Sequence, residues 1–137
     1  MLRYHQGSNL SERRVYMQES GENYLETILL LEDKNDTVRS IDIANELDYT
    51  KPSVSRAMRI LRESGLITMD ENGRILLTAA GREKANAIYE RHRCLTRYLT
   101  ITLGIDEALA ARDACRIEHV ISAETFGKVK EFVKNAI

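Results

Sequence analysis

The residues of this 137-residue chain best equipped for chemistry lie toward its C-terminal end. Cys115, Glu118 and His119 are spaced by three and four, which places them on one side of a predicted helix. Asn23 and Glu26 are also three apart, on an earlier helical stretch whose face can point at the same region. His92 stands mid-way along a long helical pattern between them. The set offers oxygen, nitrogen and sulfur donors, a mixture suited to Fe(II), Mn(II), Co(II) or Zn(II) rather than Ca(II) or Mg(II). The thiolate moves the preference from Mn(II) toward softer ions. Each residue also has a plainer reading: Cys115 and His92 as satisfied core groups, Glu118 as an ordinary surface carboxylate. Spacing alone leaves both open.

A second constellation is electrostatic. Between Lys51 and Arg62 stand four basic residues, Lys51, Arg56, Arg59 and Arg62, and no acidic one. Asp42, Glu46 and Asp48 lie on the preceding segment, expected to face away from phosphates. Thr50, Lys51 and Pro52 lead into the basic stretch. Ser53, Ser55 and Arg56 fall where a helix N-terminus first reaches base edges or phosphates. Arg59 follows a turn later, and Arg74 lies on a separate strand-like run. Such a stripe is often only a solvated helix face. The elements around it decide between the two readings.

Apolar residues at Tyr24, Leu25, Ile28, Leu29 and Leu31 predict an amphipathic helix over 21–34, with Ser20 as N-cap and Asn35-Asp36 as stop. A second helix is expected from Ser40, as N-cap, through Leu47. Tyr49-Thr50-Lys51 forms a short turn, and Pro52 suits the first turn of a third helix. That helix packs Val54, Met58 and Leu61 inward and ends at Gly65. Two strand-like runs, 66–69 and 74–78, flank Asp70-Glu71-Asn72-Gly73 and predict a β-hairpin. Helix, short turn, helix and hairpin is the order of a winged helix-turn-helix. A long helix follows from Ala79 to Leu103, ended by Gly104. Another runs from Asp106 to about Ser122, and a last one from Ala123 to Asn135 carries Phe126, Val129, Phe132 and Val133 on one side. The expected fold is mainly α with a small β-hairpin, a winged helix-turn-helix followed by a helical region. Residues 1–20 read as a flexible arm, 21–78 as the DNA-binding domain and 79–137 as a helical metal-binding domain.

Composition fits this picture. Apolar residues make up 43% of the chain and charged residues 30%, ordinary globular proportions. The formal net charge is −1, so a nucleic-acid surface must come from local segregation of charge. Two cysteines, Cys94 and Cys115, both fall in helical segments and suit reduced thiols in a cytoplasm rather than a disulfide framework. No apolar stretch approaches the roughly 18–20 residues needed to span a bilayer.

The runs Glu22-Asn23-Tyr24-Leu25-Glu26, Arg91-His92-Arg93 and Ala114-Cys115-Arg116-Ile117-Glu118-His119-Val120 resemble the diphtheria toxin repressor family of metal-dependent transcriptional regulators. Thr50-Lys51-Pro52-Ser53-Val54-Ser55 resembles the start of that family's recognition helix, and the similarity spans about 21–135. In length the chain is like the short manganese-regulator branch, without the SH3-like domain of the iron-dependent branch. The resemblance implies Glu26, His92, Glu118 and His119 as metal ligands, with Cys115 at a position held by cysteine in iron-type members and glutamate in manganese-type members. Asn23 replaces the aspartate of manganese-type and the methionine of iron-type members, and a neutral amide weakens affinity for hard ions. Thr96 and Ala111 occupy places where iron-type members have ligands of an ancillary site. The expected ion is a divalent transition metal, with Fe(II) favoured over Mn(II) and Co(II) or Zn(II) usable in vitro. The resemblance makes 79–137 the helical metal-binding and dimerisation region, and the implied partners are a second copy of the chain and double-stranded palindromic operator DNA.

Two other readings compete. A winged-helix regulator could respond to a small molecule, or to thiol oxidation at Cys94 and Cys115. A metalloenzyme could use Glu26 or Glu118 as base, but the chain lacks a hydrolase spacing such as His-Glu-x-x-His, and every good donor is needed as a ligand.

Overall fold

The computed structural model describes residues 10–136, with side chains from 21 to 136. It contains six helices and one hairpin among those residues: α1 (Leu10–Lys34), α2 (Ser40–Leu47), α3 (Lys51–Glu63), β1 (Ile67–Met69), β2 (Ile75–Leu77), α4 (Ala79–Leu103), α5 (Glu107–Ile117) and α6 (Ala123–Asn135). The chain divides into two compact units between Gly81 and Arg82, in the first turn of α4.

In the first unit α1, α2 and α3 pack with the hairpin around Leu25, Ile28, Ile43, Val54, Met58, Ile67 and Ile75, each 1% exposed or less. Full burial of such side chains stabilises by about 1.5–3 kcal/mol each relative to exposure. The inward positions of α3, Val54, Met58 and Leu61, recur at the spacing of one helical face, as the sequence predicts. Thr50 caps α3 by accepting the Ser53 N–H at 3.3 Å, and Pro52 sits in its first turn. At the other end Gly65 takes φ +77°, its N–H donating to Arg62 O and the Leu66 N–H to Leu61 O, both at 3.0 Å. This pair of reversed bonds turns the chain directly from α3 into β1.

The strands pair antiparallel, with Ile67 opposite Leu77 and Met69 opposite Ile75. Asp70 organises the tip. Its N–H donates to Arg74 O, and its Oδ1 accepts from the N–H groups of Asn72 and Arg74 at 2.9 Å each. Gly73, at φ +78°, supplies the left-handed residue that a three-residue loop of this kind requires. The Ile75 N–H donates to Val38 O at 2.8 Å, which fastens the hairpin to the segment after α1.

In the second unit Leu95, Ala114, Val129 and Val133 form a core, with Tyr98, Ile117 and Ile121 against it. Asp106 caps α5 and Ser122 caps α6, each through its side-chain oxygen.

Five expectations are corrected. Helix α1 begins at Leu10 and runs through Ser20, so Ser20 is not its N-cap. One serine and one glycine inside a helix cost only about 1 kcal/mol together with neighbours that favour helix, and no proline interrupts the run. The arm expected over 1–20 is thus helical from residue 10, and its first nine residues lie outside those described. Arg39, not Ser40, is the N-cap of α2, because the Asp42 carboxylate reaches back to the Arg39 N–H at 2.8 Å. Helix α5 stops at Ile117 rather than continuing to Ser122, so Glu118 and His119 stand in the turn after it. On α6, Val129 and Val133 are buried, but Phe132 is 46% exposed, its ring edge-to-face with Tyr98 at 5.4 Å.

Candidate metal centre and nucleic-acid face

In the second unit three short pieces of chain bring donors together. Helix α4 carries His92, the last turn of α5 carries Cys115, and the following turn carries Glu118 and His119. Single ligand atoms of His92, Cys115 and Glu118 all lie within 4.8 Å of one another. Bonds of about 2.0–2.3 Å to a cation bring its ligands to separations of roughly 3–4.5 Å. The three donor atoms thus stand at nearly the spacing that ligands of one ion adopt. The donors, one imidazole, one thiol and one carboxylate, fit a borderline or soft divalent transition metal.

Glu118 sits at the middle. Its side chain is fully buried, with Oε2 2.9 Å from His92 Nδ1 and Oε1 3.3 Å from His119 Nε2. A buried carboxylate is costly unless paired; Oε2 meets His92 at hydrogen-bond distance, and Oε1 has His119 within ion-pair distance. One carboxylate oxygen faces each ring. Cys115 is exposed at the edge of the cluster. The His92 ring lies near-parallel to the Tyr89 ring, centroids 6.4 Å apart, and the Arg93 guanidinium lies over that same Tyr89 ring at 5.4 Å. The second cysteine, Cys94, is half-buried. Burial first, and the Glu90 carboxylate second, push its thiol above the ordinary range, which lowers its thiolate fraction and reactivity. Thr96 turns its hydroxyl back to the His92 carbonyl at 2.7 Å.

Asn23 and Glu26 belong to the first unit. They lie one turn apart on α1, Glu26 buried at 5% exposure and Asn23 half-buried, with the Asn23 carbonyl accepting from the Thr27 hydroxyl at 2.8 Å.

The first unit also presents the charged face. Thr50, Lys51, Pro52, Ser53, Ser55, Arg56 and Arg59 are all exposed, while the apolar positions between them point into the core. Arg74 is exposed on the hairpin. The acidic residues before α3 have local tasks: Asp42 holds the start of α2, and Asp48 ends it in the left-handed conformation, φ +55°.

Sequence reasoning passed over Arg91. Its Nη1 donates to the carbonyls of Glu118 at 3.2 Å and Ile121 at 3.0 Å, and its guanidinium lies over the Phe126 ring at 5.3 Å. The only signal was its place beside His92, since a bond across 27 and 30 residues leaves no mark in local spacing.

A winged helix-turn-helix with a basic outer helix, joined to a helical unit holding a cluster of metal-type donors, defines a DNA-binding regulator of the metal-responsive class. Residues 17–73 match the N-terminal DNA-binding domain of the iron-dependent repressors, and residues 78–136 match their metal-binding and dimerisation domain. The chain belongs to the iron-dependent repressor family of metal-dependent, DNA-binding transcriptional regulators. It is 30% identical over 119 residues to an HTH-type transcriptional regulator of Methanocaldococcus jannaschii, covering 86% of this chain and 95% of that one. It is 32% identical over 114 residues to the diphtheria toxin repressor of Corynebacterium diphtheriae, covering 83% of this chain and 50% of the repressor. The chain thus spans nearly all of the archaeal regulator and half of the bacterial repressor. Among solved structures it resembles a manganese-dependent transcriptional repressor in complex with manganese, with a TM-score of 0.76 and 26% identity over 83% of this chain and 52% of that one.

Proposed function

We propose that this protein represses metal-homeostasis genes in the cytoplasm, binding a palindromic operator as a homodimer when loaded with a divalent transition metal. Fe(II) is favoured over Mn(II), and Co(II) or Zn(II) serve in vitro. The observation that carries the reading is the convergence of His92, Cys115 and Glu118 within 4.8 Å, a nitrogen–sulfur–oxygen set around one point. The proposed ligands are Asn23, Glu26, His92, Cys115, Glu118 and His119. The bound ion would supply positive charge that offsets the mutual repulsion of carboxylates and thiolate.

Each residue then has a definite task. His92 and His119 give neutral nitrogen donors, and their contacts with Glu118 orient both rings. Cys115 sets the softness of the site. Asn23 and Glu26 extend the ligand set to the DNA-reading unit, so that occupancy favours one disposition of the reading heads. Coupling of this type is typically about 1–3 kcal/mol, and it requires that the two states differ in metal affinity. Thr50, Lys51, Pro52, Ser53, Ser55, Arg56 and Arg59 address the major groove, and Arg74 the flanking backbone. No helix among the described residues is long and apolar enough to cross a membrane.

The test compares operator binding by chelator-treated protein with binding after addition of each ion. Tight binding is expected only with metal, and equal affinity with and without it would refute the reading.

A further inference from the structure

Four residues separate the end of α5 from Ser122, the cap of α6, and this turn, Glu118 to Ile121, carries two proposed ligands. The Glu118 N–H still donates to Ala114 O, and the N–H groups of Val120 and Ile121 both return to Ile117 O at 3.0 Å. Those bonds tie the start of the turn to α5. Its carbonyls past the helix end are met from outside, by one nitrogen of Arg91 reaching Glu118 O and Ile121 O. The guanidinium is half-buried and seated on Phe126, within the approximate 6 Å reach of a cation–π contact. Arg91 and His92 are consecutive on α4. One grips the backbone of Glu118 while the other meets its carboxylate at 2.9 Å.

We propose that Arg91 is a positioning residue of the metal centre, clamping the Glu118–Ile121 turn so that Glu118 and His119 face His92. The inference rests on the metal reading above. Without the clamp, the turn keeps its attachment to α5 but loses its backbone attachment to α4, and the distance between His92 and Glu118 is held by their side chains alone. Lysine preserves charge and donors but lacks the plane that stacks on Phe126.

The experiment is Co(II) titration of the full chain, followed by ligand-field and thiolate charge-transfer absorption, for wild type, Arg91→Ala, Arg91→Lys and Val129→Ala. Val129 is a core residue of the same unit, so its variant reports loss of stability alone. Arg91→Ala is expected to weaken Co(II) binding by about ten- to a hundredfold and to alter the spectrum at saturation, as removal of a ligand-orienting partner does. Arg91→Lys should recover part of the affinity, and Val129→Ala should bind as wild type does. Should Arg91→Ala fail to fold, Phe126→Leu and Arg91→Lys carry the same comparison. Wild-type affinity and spectrum in the folded Arg91 variants, or equal losses in Val129→Ala, would overturn the clamp. Absence of Co(II) binding by wild-type protein would instead overturn the metal reading, and the clamp with it.

Discussion

Cys115 is the one soft donor of the proposed ligand set, so it should decide which ion activates. Cys115→Glu replaces a thiolate with a hard carboxylate and should shift activation toward Mn(II). Asn23→Asp adds the negative charge that the amide lacks, and the pair should be non-additive if both touch one ion. DNA affinity measured against free metal for each variant checks this; an unchanged ranking of ions would make Cys115 a bystander at the edge of the cluster. A different residue limits stability. A Cβ at Gly81 would stand 1.9 Å from the carbonyl oxygen of Leu66, a backbone atom that cannot swing aside. Gly81→Ala should therefore destabilise by at least about 1–3 kcal/mol, the usual cost of overpacking, read as a lower urea midpoint. An unchanged midpoint would mean that the start of α4 shifts freely against the residue that leads into β1.

At the scale of elements, the hairpin depends on one carboxylate. Asp70 Oδ1 accepts two N–H groups, and both bonds close the loop that presents Arg74. Asp70→Ala should cost about 0.5–1.5 kcal/mol for each lost bond, confined to the hairpin. Faster amide exchange at Asn72 and Arg74, with little change in α1 to α3, is the expected signature. Uniform acceleration across the first unit would show that the hairpin does not open separately. The elements also show where sequence is a good guide. Val54, Met58 and Leu61 announce the buried side of α3, and Gly65 and Gly73 announce left-handed turns found at φ +77° and +78°. Such signals are local, written into residues within a turn or two of each other. The start of α1 at Leu10 and the end of α5 at Ile117 were not legible in that way. A serine is as compatible with a helix interior as with a cap, and the end of α5 is met by a guanidinium from α4.

At the scale of the whole molecule, a net charge of −1 must coexist with affinity for a polyanion. The positive charge concentrated along α3, the proposed reading helix, should make that affinity strongly salt-dependent. Arg56→Ala should weaken specific operator binding by roughly 1–3 kcal/mol, whereas Arg59→Ala and Arg74→Ala should each reduce the salt slope by about one. Binding isotherms at several salt concentrations separate these outcomes, and three variants with wild-type isotherms would remove α3 as the reading helix.

The sequence by itself determined the class of protein, through the motifs that carry the family resemblance, together with the helix-turn-helix order, the hairpin, the segregated charge and the types of the donor residues. The elements and the charge pattern follow from composition and short-range periodicity, because helices and turns are chosen by neighbours three or four residues apart. Only the tertiary structure decided how His92 meets Glu118 at 2.9 Å, how Glu118 and His119 leave the helix, and that Arg91 holds their turn. Those arrangements join residues 26 to 30 positions apart, and long-range packing rather than local preference sets their distances.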